Sequence, residues 1–374
     1  QMPEVVAPQP RVHGAACAAP LSGESNRQRK SIASAGFYSE YHGHPVSDLE
    51  VLLPALRPRA VTWLVGDSSL DNKHWLFDAR RDGSDSTPLP LCAGYEAVLT
   101  PPQAQVADVA YWLNKELERR GHAAQLACVN TAVEESTLAD RAGERMLAQD
   151  QFVRDHIEAT DTLVVSVGGN DVALRPSVAT ALSMLMLTRS PVSMIRSGWA
   201  PGSTHFVNLF REHTMQFVRK LIARRKPRRV VVCTIYYLDP TPGGSWADFV
   251  LNKMGYDDQP EKLQAAIQTI YERAHQSIAD VDGVEVVAVQ LLPALKPHAP
   301  RLQPKSPRLQ PKSLRLQPYV IQAATLCDPG AALPRARRHG YRRLRAEGGA
   351  ERAGRAQDGG GHRGRGACLW SSAA

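Results

Sequence analysis

The chain has 374 residues, 43% of them hydrophobic and 22% charged, which is enough to bury the core of one large α/β domain or two smaller ones. Its formal net charge of +8 argues little for nucleic-acid binding, because Lys296 to Ala374 hold 16 of the 45 basic and only 4 of the 37 acidic residues, leaving residues 1–295 net acidic by four. No run approaches the roughly 18 to 20 apolar residues of a membrane helix, and Pro3, Glu4, Pro8, Pro10 and Arg11 break up the N-terminal stretch where a secretory signal would need an apolar run.

Six scattered cysteines (Cys17, Cys92, Cys128, Cys233, Cys327, Cys368) form no CxxC pair. A reducing compartment is therefore expected, the cytoplasm by default, with no disulfide framework, metal or organic cofactor. Oligomeric state is not legible.

Residues 1–58 are rich in Ala, Pro and polar residues and read as a loosely packed leader. The organised part, 59–295, opens with Val61-Thr62-Trp63-Leu64-Val65, a β-rich apolar run closed by Gly66 that suits a strand buried on both faces. Helical spacing of Val106, Val109, Ala110, Leu113 and Leu117 predicts a helix between Pro101 and Gly121. Strands follow at 125–129, 162–167, 229–235 and 284–289, with helices at 138–157, 206–223 and 261–279 between them. Fully apolar strands alternating with helices predict a three-layer, doubly wound, flavodoxin-like α/β fold with a parallel sheet of about five strands. Ligands of such sheets bind beyond the carboxyl ends of the strands.

Residues 296–374 break this order. A seven-residue repeat (RLQPKSP, RLQPKSL, RLQP) places proline too regularly for helix or central strand, and the stretch beyond Leu333 is dominated by Arg, Gly and Ala. Too little apolar surface is available there to offset ordering entropy, so a disordered tail is expected. Few aromatic residues interleave the arginines, which argues against base stacking.

Two strand ends carry candidate chemistry. Gly66-Asp67-Ser68-Ser69 follows the first strand, where a serine at a strand-to-helix junction can expose its hydroxyl and aim its N–H at an oxyanion; an ordinary helix N-cap uses the same residues. Gly168-Gly169-Asn170-Asp171 follows the third strand, where the glycines permit close backbone approach and the Asn amide can donate to a negative oxygen; a glycine turn alone would also use them.

With these blocks the chain resembles the SGNH hydrolases, the GDSL-type esterases and lipases, over roughly Val61 to Val289. The first block matches Gly66, Asp67, Ser68 and Asp71, and the third matches Gly168, Gly169, Asn170 and Asp171. The resemblance implies that Ser68 is the nucleophile and an oxyanion donor, that Asn170 donates from its side chain, and that the substrate is an acyl or acetyl ester of a lipid, carbohydrate or small molecule. The second block, Asn130 to Thr137, keeps the family's spacing but puts Glu135 where a glycine donor is usual, and a carboxylate beside an oxyanion opposes catalysis. The final Asp-x-x-His block, source of the general base, has no counterpart after Val289: His298 has Leu295, not Asp, three residues before it, and His339 and His362 lie in the Arg- and Gly-rich tail. Asp71-Asn72-Lys73-His74 has the spacing, but helix geometry points His74 away from Ser68. A non-catalytic relative that keeps the pocket is the alternative. Trp63 and Trp112 are expected to pack in the core or on the sheet, and Tyr236 and Tyr237, which follow the fourth strand, to pack there, with lining of the pocket mouth as the alternative.

Overall fold

The computed structural model describes residues 31–74, 76–77, 89–100, 105–235, 255 and 258–290, all within a compact unit that ends at Ala331. The expected tail, the repeat, Tyr236, Tyr237, His298, His339 and His362 lie outside these residues.

The short strand β1 (Ile32–Ala33) leads directly into helix α1 (Ser34–Ser39), followed by α2 (Val46–Leu56). Leu49, Leu52, Leu53 and Leu56 recur at i, i+3, i+4 and i+7 on α2 and are all buried, as are Ile32 and Phe37. The leader expected through residue 58 is corrected by this packing: from Ile32 onward the chain belongs to the core. Arg57 then makes a bidentate pair with Asp161 at 2.8 Å on each arm. Asp161 also accepts from the Val61 N–H and Trp63 Nε1 at 2.8 Å, so one buried carboxylate fixes the entrance to the first long strand.

That strand, β2 (Ala60–Gly66), is apolar on both faces and buried from Val61 onward. After β3 (Leu99–Thr100), which pairs with β1, Asp108 caps α3 (Val109–Arg119) by accepting from the Tyr111 N–H at 2.7 Å. Strand β4 (Leu126–Asn130) follows. The helix expected over 138–157 is shorter: a 3₁₀ turn at Ala139–Arg141 and α4 (Ala148–His156) are separated by Gly143 at φ +61°, a conformation that ends a helix. Next come β5 (Thr162–Ser166), α5 (Gly169–Ala173), α6 (Val178–Arg189), α7 (Val192–Arg196) and α8 (Ser203–Asn208). A π-helical turn (Leu209–His213) joins α8 to α9 (Thr214–Leu221), and β6 (Arg229–Cys233) follows. Helix α10 (Pro260–Ile270) ends in a second π-helical turn (Tyr271–His275), and β7 (Asp280–Val281) and β8 (Val284–Val289) complete the described chain.

The main sheet has the order β4-β2-β5-β6-β8-β7, parallel except for β7 against β8. Its five long strands reproduce the doubly wound, flavodoxin-like arrangement. The count is six rather than five because β7 is only two residues long and turns back onto β8 through Asp282 (φ +52°) and Gly283 (φ +82°), a tight hairpin with too few residues to show alternation. The chain leaves β2 toward β4 on one side and reaches β5 on the other, so the topological switch point lies at the carboxyl ends of β2 and β5, with Gly66 in register with Ser166.

Candidate active site

The first block sits at that switch point. Gly66 is required by contact: a Cβ there would lie 1.9 Å from the Ser166 carbonyl oxygen. Its own carbonyl accepts from the Val133 N–H (3.0 Å), Ser136 Oγ (3.1 Å) and Arg141 Nη2 (3.1 Å), so the second block grips the strand end that leads to the serine. Asp67 is buried, accepts from the Ser69 N–H at 3.0 Å, and has its pKa raised by burial against the lowering effect of Ser69 and Arg141. Ser69 Oγ is spent on Ser166 Oγ at 2.7 Å. Ser68 differs from its neighbour: it is partly exposed, and neither its hydroxyl nor its N–H hydrogen-bonds to any of the described residues.

Asp71, three residues on, is a structural clamp. Its Oδ2 accepts from the N–H groups of Gly43 and Glu134, both at 3.0 Å, and its carboxylate pairs with Lys73 Nζ at 2.8 Å. Both partners of this ion pair are buried, and Asp71 is thus the point where the N-terminal segment, the first block and the second block meet. Burial pushes the Asp71 pKa up while Lys73 and the two N–H donors pull it down.

In the second block, Asn130 Nδ2 donates to the Leu70 carbonyl at 2.9 Å and Ser136 Oγ donates to Val133. Glu135 adopts φ +60°, the left-handed conformation that glycine takes at no steric cost. Its N–H makes no hydrogen bond to the described residues, its carbonyl accepts from Arg175 Nη2 at 2.7 Å, and its carboxylate accepts the Tyr41 O–H at 2.8 Å. The turn therefore keeps the backbone shape of a glycine while the added carboxylate is held by a phenol from the N-terminal segment.

The third block follows β5. Gly168 has φ +97° and an added Cβ would lie 2.5 Å from the Phe210 ring; Gly169 lies against Asp67, with a Cβ position 3.7 Å from Oδ2. Asn170 is buried and one of its amide hydrogens goes to the Ser136 carbonyl at 3.0 Å, tying the third block to the second. Asp171 caps the 3₁₀ turn by accepting from the N–H groups of Leu138 (2.8 Å) and Ala139 (3.0 Å), a scaffolding position.

No described histidine reaches Ser68. His74 sits against Tyr41 and uses Nδ1 on the Ser39 carbonyl at 2.8 Å; His42 faces the Glu134 carbonyl at 3.4 Å. His275 is buried against Phe210, with Nδ1 2.8 Å from Thr234 Oγ1; burial pushes its pKa down to about 4 against the raising effect of the Phe210 backbone. Among the described residues no cluster of His, Cys, Asp and Glu could hold a metal, the buried Cys92, Cys128 and Cys233 form no disulfide, and no helix is long and apolar enough to cross a membrane. Trp63 is fully buried, while Trp112 is only partly so.

Sequence reasoning missed Tyr41, Arg141 and Arg175, which shape the block-two turn from outside the motifs. Only the glutamate at a glycine position hinted that some partner had to be near.

No family model matches the chain, and no curated protein matches it either. Among solved structures it is similar to an extracellular lipase from Streptomyces rimosus (14% identity, 62% of this chain and 80% of that one, TM-score 0.32). It is also similar to a carbohydrate esterase family 3 protein from Talaromyces cellulolyticus (12%, 71% and 98%, TM-score 0.31) and to a phospholipase A1 from Streptomyces albidoflavus NA297 (13%, 61% and 78%, TM-score 0.29). The architecture of this chain itself rests on its strand order and on the interlocking of three sequence blocks at the ends of β2, β4 and β5.

Proposed function

We propose that the chain is a serine esterase that cleaves an acyl or acetyl ester through Ser68. The observation that carries this is local. In a turn where Asp67 and Ser69 are both committed to hydrogen bonds, Ser68 alone presents a hydroxyl and an N–H that bond to none of the described residues, at the switch point of a doubly wound sheet. Ser68 Oγ would attack the ester carbonyl carbon and pass its proton to a base. The resulting oxyanion would be met by the Ser68 and Glu135 N–H groups and the second amide hydrogen of Asn170; the alcohol would leave with the proton, and water would release the acid. Ester substrates on a lipid, a carbohydrate or a small molecule all suit this chemistry.

Labelling by a fluorophosphonate and hydrolysis of p-nitrophenyl acetate test the assignment. Both should vanish in Ser68→Ala, with turnover falling at least about 10³-fold, and persist in Ser69→Ala. Equal labelling of wild type and Ser68→Ala would remove Ser68 from its role.

The lack of a histidine partner for Ser68 among the described residues favours a second reading, a non-catalytic module that holds an ester or acid through the same donors. A folded wild-type protein that is stabilised by such a ligand yet never labelled would select it.

A further inference from the structure

Helix α6 lacks the polar outer face of an ordinary surface helix. Its buried side carries Thr180, Ser183, Met184 and Leu187, whereas Val178, Leu182, Leu185 and Met186 lie on the opposite side and face solvent, Val178 at 78% exposure. The apolar surface continues beyond the helix. Met194 on α7 is exposed, and Trp199, three residues past α7, is 80% exposed. These six are the only large hydrophobic side chains so exposed among the described residues, and all fall within a stretch of 22 residues.

Helices α6 and α7 themselves carry Arg189 and Arg196 and no carboxylate. Arg175 and Arg211, which flank them in sequence, are paired with Asp140 and Glu212. Arg189 shares the exposed side of α6 with the apolar residues. Lys262 Nζ donates to the Thr188 carbonyl beside it at 2.7 Å, and Arg273 donates to the Ser197 carbonyl near Trp199. Two carboxylates, Glu261 and Glu272, line a groove with Arg196 on the α10 side.

From this surface we infer that α6, α7 and Trp199 form a docking face for an anionic phospholipid surface. An exposed row of Leu, Met and Val with an exposed Trp matches what enters the headgroup boundary, and flanking arginines match anionic headgroups. The chain's own basic stretch, Lys296 to Ala374, carries charge of the same sign as this face and is a poor cover for it. The inference is independent of catalysis by Ser68, although α6 begins eight residues after Asn170, so a bound membrane would lie close in sequence to the candidate site.

Cosedimentation of the full chain with vesicles of phosphatidylcholine, with and without 30% phosphatidylglycerol, tests this. The wild type should bind the anionic vesicles at least about 10-fold more tightly than the neutral ones. Leu182→Ser/Met186→Ser should weaken that binding at least about 10-fold with an unchanged melting temperature, and Arg189→Glu/Arg196→Glu should weaken it and remove its salt sensitivity. If the serine pair melts early, Trp199→Ser provides the same reading. Undiminished binding by these variants would place the attraction elsewhere, in the basic stretch above all, and overturn the inference. Failure of the wild type to bind would do so too, as would self-association of the wild type that the serine pair abolishes.

Discussion

Tyr41 donates its phenolic O–H to Glu135 Oε1 across 2.8 Å, so a residue ahead of the first long strand holds the side chain of a turn 94 positions away. The phenol is itself pushed to a higher pKa, first by burial and then by Glu135. The backbone at Glu135 remains left-handed, at a cost of about 1 kcal/mol for a side chain other than glycine.

These two facts separate two substitutions. Glu135→Ala loses the Tyr41 bond and keeps the unfavourable φ, so it should be less stable than wild type by about 1 to 2 kcal/mol. Glu135→Gly loses the same bond but relieves the backbone, and should be more stable than the alanine variant by about 1 kcal/mol. Urea unfolding of the pair decides it. Equal midpoints would mean that the turn does not hold φ near +60° in solution.

The Asp71–Lys73 pair predicts a different pattern. Asp71→Asn strands a buried ammonium and should cost about 3 to 5 kcal/mol. Pairing it with Lys73→Met removes the stranded charge, and the double variant should recover at least about 1 kcal/mol of that loss. A double variant as unstable as Asp71→Asn alone would show that the two N–H bonds from Gly43 and Glu134, not the ion pair, set the value of Asp71.

His275 makes stability depend on pH. Its folded pKa of about 4 lies below the ordinary 6.5, so the unfolded chain takes up the proton first. The contribution is fully present above about pH 6.5 and is lost as the pH falls toward 4, to the extent of roughly 3 kcal/mol. His275→Gln should flatten the stability profile across that interval relative to wild type. His44, buried and pushed down by burial and by Lys73, acts in the same direction in both proteins, so the difference between them is what reports on His275. Parallel profiles would mean that His275 is hydrated or already charged.

The sheet was legible because each long strand is a short, mostly apolar run closed by glycine or a polar turn, and the serine and asparagine blocks stand at two of those closures. The sequence was less informative where structure depends on contact at a distance. Glycine at position 135 would have been read at once as a left-handed turn, but glutamate hid the turn until Tyr41 was seen holding its carboxylate. Helix α2 was obscured by Pro54 and by its alanine- and proline-rich surroundings, although its leucines have helical spacing. Helix α6 escaped because it is apolar on both sides, which leaves no amphipathic contrast to read.

The grip of Asp71 on Gly43 also bears on how the protein can be cut. An expression boundary drawn at residue 58, where composition alone would put it, removes the donor at Gly43, the hydroxyl of Tyr41 and the leucines of α2 together. A fragment made that way would keep every residue of the three blocks and still lose the shell that shapes them, so a lack of activity in it would say nothing about Ser68.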